Sequence, residues 1–403
     1  MADVDVIAVL QEAIAGGGPL WLQVLLRVAG AFGMALVPLV SVVFLIWESR
    51  KVIARMQDRL GPTNAGTPAG PWAIFQTVAD AIKILTKELI IPEGADKVVF
   101  IIAPVLVVAV AIAMWAVIPL GPPETGLQVV DLEIGAFYVV AIGSLAPFSM
   151  IMAGWSSRNK YADVGAFRAV SQIIGYEIPQ IMSLLVPVLL AGSMSLQEIV
   201  ASQDVAYAIS VPLVALVYFL AMLAEVGKLP FELAEADSEL VAGYFTEYSG
   251  MMFGAFYLGE FINAFTGSVV FSLLFLGGWR GPFVDVVPWL GPVYLLVKAF
   301  LVFNVMNLFW ASMPRLRIDQ VLAFNWKALV PMGLVVFLVV ALTDKLMWRA
   351  GVPEGWARAA GLLLSNVVVG GATALLLVWY KRRLMRRRAA RFAPAAVPAK
   401  AEA

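Results

Sequence analysis

Nine apolar stretches, each close to 20 residues, divide this chain, and a segment of that kind has few stable forms other than a membrane-crossing helix. They run over residues 20–47, 98–120, 137–155, 171–191, 205–225, 249–271, 289–310, 328–346 and 359–380. A helix rises 1.5 Å per residue, so about 20 residues cover the ~30 Å of bilayer hydrocarbon. The first stretch has 28 residues and would be about 42 Å long, so it must tilt or project. Pro38, Pro187 and Pro212 fall inside stretches, where neighbouring helices can satisfy the freed carbonyls. Of all residues, 61% are hydrophobic and 14% charged, against about a quarter charged in a soluble domain. The expected fold is therefore all-α, a polytopic membrane bundle of about nine transmembrane helices.

Nine crossings put the termini on opposite sides, and basic residues orient them. The odd-numbered loops and the tail carry 22 of the 28 Lys and Arg residues and the even-numbered loops 4, counting Lys345 at the very end of its stretch with the loop that follows, while Arg27 and Lys298 lie within stretches. The odd side is thus expected to be cytoplasmic, with the N-terminus outside and the C-terminus inside a cell inner (plasma) membrane. Arg27 is near enough to its outer end to snorkel. Residues 1–19 hold acids and no base, unlike a secretory signal. Residues 381–403 read as a basic, disordered cytoplasmic tail.

The sequence has no cysteine and no histidine, the usual ligands of zinc and iron–sulfur sites and the commonest ones for haem. No metal site is expected on this chain, and nothing in it can hold electrons. What it does hold is carboxylates. The fifth loop, EVGKLPFELAEADSELVAGYFTEYSG, contains Glu225, Glu232, Glu235, Asp237, Glu239 and Glu247, offset only by Lys228, and Glu260 follows in the sixth stretch. On a helix Glu232, Glu235 and Glu239 would share one face. Leu229, Phe231, Leu233, Leu240, Val241 and Phe245 alternate with them, which a merely solvated loop does not require. Glu177, Glu260 and Lys298 lie within stretches, where a charge costs about 2.5–3.5 kcal/mol and usually faces a polar interior. Glu260 and Lys298 could form a static ion pair. A string of carboxylates between helices suits proton relay.

In the first loop, WAIFQTVADAIKILTKEL places Gln76, Asp80, Lys83 and Lys87 on one helical face and Phe75, Val78, Ile82, Leu85 and Leu89 on the other. That predicts an amphipathic helix along the membrane surface or against a span.

Five segments, in order, resemble one family. WESRKVIARMQDRLGPTNAG with ADAIKILTKE, then GYEIPQ, LPFELAEADSELVAGYFTEYSGMMFGAFYLGEF, LGGWRGP and MPRLRIDQVLAFNWKALVP are similar to the quinone-channel membrane subunits, termed H, of the proton-pumping NADH–quinone oxidoreductases, respiratory complex I. The resemblance covers roughly residues 20 to 345. It implies a non-redox subunit that forms the membrane side of a quinone chamber and couples quinone reduction to proton translocation. Quinone is then a substrate at the interface, with no other cofactor bound. The implied partners are the other membrane subunits of complex I, two iron–sulfur-bearing peripheral-arm subunits, quinone and the lipid bilayer, with no nucleic acid. Matched by position, the quinone group is Glu48, Arg50, Lys51, Arg55, Arg59, Asp80, Lys83, Arg315, Arg317 and Asp319. The proton route is Glu177, Glu232, Glu235, Asp237, Glu239, Glu247 and Glu260, with Lys298. Residues 20–346 then form an eight-span core, and 347–380 add a loop and a ninth span.

There are departures. Glu232 stands where the family usually has Asp, Ala234 where it has Pro, and Asp237 where it has Glu. Thr63 and Asn64 replace Asn-Arg, and Ala311 replaces an arginine, removing two basic groups from the quinone side. Two other readings compete: the matching subunit of a membrane-bound hydrogenase or cofactor dehydrogenase, and a secondary transporter. Transporters commonly carry paired repeats, and the sequence contains no internal repeat.

Overall fold

The computed structural model of the chain describes residues 20–63, 73–234, 237–353 and 355–392. Among these every regular element is helical. We number the principal helices α1 (Leu20–Met56), α2 (Gln76–Thr86), α3 (Lys97–Ala113), α4 (Gly135–Gly143), α5 (Ala146–Ser156), α6 (Lys160–Ala191), α7 (Pro212–Glu225), α8 (Gly250–Phe275), α9 (Leu290–Ser312), α10 (Ile318–Phe324), α11 (Val330–Arg349) and α12 (Trp356–Phe392). Single turns at Leu196–Ala201, Tyr207–Ser210 and Asp237–Leu240 join them.

Among the described residues, eight helical segments are long and apolar enough to cross a bilayer, with α4–α5 and α10–α11 each counting as one. The fifth expected crossing, 205–225, is built differently. It is the 14-residue α7, about 21 Å long, preceded by the separate turn Tyr207–Ser210. The break falls at Pro212, which stands at the first helical position instead of inside the helix. Proline has no N–H to give the preceding turn and drives the residue before it out of the α region. Val211 accordingly sits at φ −131°, ψ 60°. A helix this short cannot meet the whole hydrocarbon layer, and α7 does not try to. Val214, Val217, Tyr218, Ala221, Met222 and Leu223 are all buried in protein.

The bundle has two hubs. Helix α8 packs on α1, α3, α7 and α9, and 78% of its most apolar window is buried. Helix α6 packs on α5, α7 and α11 and on the turn Gly243–Phe245. It begins well before the expected residue 171, at Lys160, where Asn159 caps it by accepting from the Tyr161 N–H at 2.9 Å. Helix α1 likewise runs nine residues beyond the expected end at Trp47, so that Arg50, Lys51 and Arg55 lie on its last turns. The amphipathic α2 forms as expected. Val78, Ile82 and Leu85 are exposed, the side suited to lipid, while Gln76 and Asp80 face Arg50 of α1. Helix α12 packs chiefly on α11, α7 and the Tyr207–Ser210 turn. It stays helical through the run KRRLMRRR to Phe392, where composition suggests disorder from residue 381. Residues 393–403 lie outside the described part.

Candidate functional site

At the end of the bundle that carries the basic loops, α1 and the chain after it turn back on themselves. Lys51 Nζ donates to the Pro62 carbonyl at 2.5 Å and Arg59 Nε to Gln57 Oε1 at 2.8 Å. Arg50 pairs with Asp80, which also accepts from Gln76 Nε2 at 3.0 Å, so the polar face of α2 is tied to α1. The fold leaves an open cleft of about 600 Å³ between Arg50, Ile53, Arg59, the 60–63 segment, Gln76 and Trp310 of α9. The volume suits a small-molecule headgroup. Glu48, one turn deeper, is buried and accepts from Asn307 Nδ2 at 3.2 Å. Arg55 and Lys83 are exposed beside this region. Arg317 and Asp319 are exposed at the start of α10, and Arg315 is half-buried.

Deeper in the bundle, a chain of carboxylates follows two small cavities. One of about 30 Å³ is lined by Glu177 and Gln180 of α6, Tyr218 and Glu225 of α7, and Asn263 and Thr266 of α8. The other, of about 40 Å³, is lined by Glu225 again, with Tyr244, Gly259, Glu260 and Asn263. Glu225, Val226 and Asn263 therefore form the wall between them, and the sequence of acids is Glu260, Glu225, Glu177. Gln180 hydrogen-bonds to both Glu225 and Tyr218. Against the Gly175–Tyr176 part of α6, the helix joining α10 to α11 swells into a π-turn at Asn325–Leu329. Asn325 Nδ2 reaches the Gly175 carbonyl at 2.6 Å, and Tyr176 donates to the Val321 carbonyl at 3.0 Å. Such π-turns are frequent at functional positions.

The fifth loop does not form the acid-faced helix its spacing suggests. Glu232 lies in a non-helical stretch, half-buried, and Asp237–Leu240 is one turn only. Glu235 lies outside the described residues, as does the side chain of Asp237. Tertiary anchors override the local pattern here. Gln172 Nε2 holds the carbonyls of Ala224 and Phe231 at 2.6 and 2.8 Å, and the Leu316 N–H reaches the Pro230 carbonyl at 3.1 Å. Glu239 pairs with Arg168 at 2.7 Å. That guanidinium, with Arg315 and Arg317 further off, holds the Glu239 carboxyl below the usual range. Glu247 accepts from Asn159 Nδ2 at 2.6 Å. Tyr248 stacks on Phe100 with centroids 3.9 Å apart, and burial pushes its hydroxyl up to about 12.

Lys298 and Glu260 do not meet. Lys298 Nζ donates to the carbonyls of Leu276, Gly278 and Arg280 at 2.8, 2.8 and 2.7 Å, pinning the loop at the opposite end of the bundle. The partner of Glu260 is Lys228, at 2.5 Å.

A family model described as NADH dehydrogenase matches residues 30–341. A protein of Dehalococcoides mccartyi (strain CBDB1), named as the H subunit of NADH-quinone oxidoreductase, is 45% identical over 321 residues, covering 80% of this chain and 87% of that one. This chain belongs to the H-subunit family of NADH-quinone oxidoreductases. Proteins of the same name from Rhodospirillum centenum and Anoxybacillus flavithermus are 41% and 39% identical, over 75% and 84% of this chain and 89% and 100% of theirs. Within this member, the family signature in the fifth loop and the GYEIPQ segment contribute to one connected cavity wall.

The residue that sequence reasoning leaves out of the site is Glu225. It is counted among the acids of the fifth loop, but the resemblance does not place it on the proton route. Its signal is the spacing to Glu260 and Glu177, which becomes meaningful only once α6, α7 and α8 are side by side.

Proposed function

We propose that this chain is the membrane subunit of an NADH–quinone oxidoreductase that receives the quinone headgroup in the cleft beside Arg50, Arg59 and Trp310 and passes the coupled protons along Glu260, Glu225 and Glu177. The observation that carries the reading is the pair of cavities sharing Glu225. Carboxylates separated by spaces of water size are the arrangement a relay needs, because water or a rotating side chain can carry a proton across each gap. The chain itself holds no redox centre in this reading. Electrons come from iron–sulfur subunits of the peripheral arm docked over the basic end, which faces the cytoplasm. The quinone-side basic groups then position an oxygen-rich headgroup, and Glu232, Glu239 and Glu247 belong to the loop over which that arm sits.

Neutral, shape-preserving substitution tests the relay. Glu177→Gln and Glu225→Gln should each lower quinone reduction and proton pumping together in intact membranes. Transfer from the donor to a hydrophilic artificial acceptor should persist, since it occurs in other chains. The double variant should cost no more than the worse single one, as groups acting in one relay are non-additive. Full quinone turnover in a double variant that still assembles on a native gel would sink the route.

A further inference from the structure

Between the cleft and the carboxylate chain stands a residue that lines neither. Lys228 follows α7 in the fifth loop, and its side chain is 7% exposed. Its ammonium meets a carboxylate and two aromatic faces. It pairs with Glu260 at 2.5 Å. It lies 4.1 Å above the ring of Trp310, which lines the cleft. It lies 4.8 Å from the ring of Phe261, the buried neighbour of Glu260. A buried ammonium must be compensated on all sides, and the removal of one partner is far costlier there than at a surface. The position of the charge is therefore a compromise between a carboxylate on the relay and an aromatic face on the cleft. If the Trp310 ring turns or is covered, the cation–π contribution changes, and the ammonium moves with respect to Glu260. If Glu260 changes its charge, the hold on the Trp310 face changes in return.

We infer that Lys228 is a positioning residue that couples occupancy of the cleft to the charge state of Glu260 through the Glu260–Lys228–Trp310 contact. The inference rests on the cleft being the quinone site. It adds to that reading one physical link by which a neutral molecule in the cleft acts on the first acid of the relay without touching it. Linkage then requires reciprocity. Whatever neutralises Glu260 must alter the affinity of the cleft for its ligand by the same factor that ligand binding alters Glu260.

The test is direct binding of a radiolabelled hydrophobic quinone analogue to the solubilised, assembled complex, which needs no turnover. Glu260→Gln, remote from the cleft wall, should change the Kd of the analogue about five-fold or more, the lower end of ordinary coupling between sites. In a Lys228→Met background the same substitution should leave Kd unchanged, and Lys228→Arg should restore the sensitivity. If Lys228→Met does not assemble, Trp310→Leu cuts the contact from the other side and takes its place in the cycle. An unchanged Kd in Glu260→Gln overturns the coupling, as does an effect that persists without Lys228. A merely structural lysine would affect the amount of complex but not produce this non-additivity. Arg59→Ala keeps the two questions apart. If it leaves Kd unchanged, the cleft is not the quinone site. If it weakens binding while Glu260→Gln does nothing, the site stands and only the coupling falls.

Discussion

Side-chain amides hold four of the buried or half-buried acids of this chain. Asn307 donates to Glu48, Asn159 to Glu247 and Gln76 to Asp80, and Gln180 hydrogen-bonds to Glu225. An amide orients a carboxylate but neither releases nor takes up a proton in the biological range. In a protein without histidine, it is a means of fixing a titrating group without competing with it. Glu239 is held differently, by Arg168, and its carboxyl lies below the ordinary range. That makes it an anchor for the loop and a poor store for a proton at neutral pH. The sign of its pH dependence follows. A depressed carboxyl stabilises the docked loop above the unfolded value of about 4.3, and the contribution is lost as pH falls through the lower folded value. Because the side chain is 51% exposed, the contribution is screened and modest. Protection of residues 237–245 against hydrogen exchange, relative to the intrinsic rate at each pH, should therefore stay high at neutral pH and fall only in the acid range, while in Glu239→Gln it should already be lower at neutral pH. Equal protection in both proteins under those conditions would contradict the anchoring role.

Among the elements, α6 sets how closely the acidic loop approaches the bundle. A Cβ on Gly165 would stand 2.8 to 2.9 Å from the Gly243 backbone and the Tyr244 nitrogen. Neither neighbour is a flexible side-chain end, so Gly165→Ala must push the turn Gly243–Phe245 away from α6. Overpacking of this kind costs about 1–3 kcal/mol. Tyr244 lines the Glu225–Glu260 cavity, so quinone reduction should fall and its thermal inactivation should come earlier. Wild-type heat stability in the assembled variant would show that the contact is slack. The hydropathy of the chain is enough to place eight long spans and α2, because those depend on local composition alone. It cannot place the break before Pro212, since a proline within an apolar run is also compatible with an unbroken span. Nor can it pair Lys228 with Glu260. Of the two lysines available, Lys298 looks the more buried from sequence position, but backbone carbonyls of the Leu276–Arg280 region solvate it instead. Two of the residues that matter most, Glu225 and Lys228, read only as charges of the fifth loop until three helices converge on them.

For the whole molecule, the asymmetry of 22 basic residues against 4 supports the proposed orientation, in which the cleft opens to the cytoplasm and the terminal helix ends there. A reporter fused after Ala403 should be active in the cytosol, and periplasmic activity would reverse the assignment. Helix α12 belongs to the periphery of this arrangement. It is fastened near its start by Arg358 to Asp344 at 2.7 Å and flanks α11 and α7.

The two cavities on either side of Glu225 measure about 30 and 40 Å³. A single water takes roughly 30 Å³ of liquid, and a sodium ion with six waters around it takes roughly six times that. Spaces of this size admit solvent one or two molecules at a time and no hydrated metal cation. On the proposed route a sodium ion would therefore have to shed most of its water to enter, a cost that a proton handed between water and carboxylate does not meet. That cost follows from how tightly α6, α7 and α8 close around their acids.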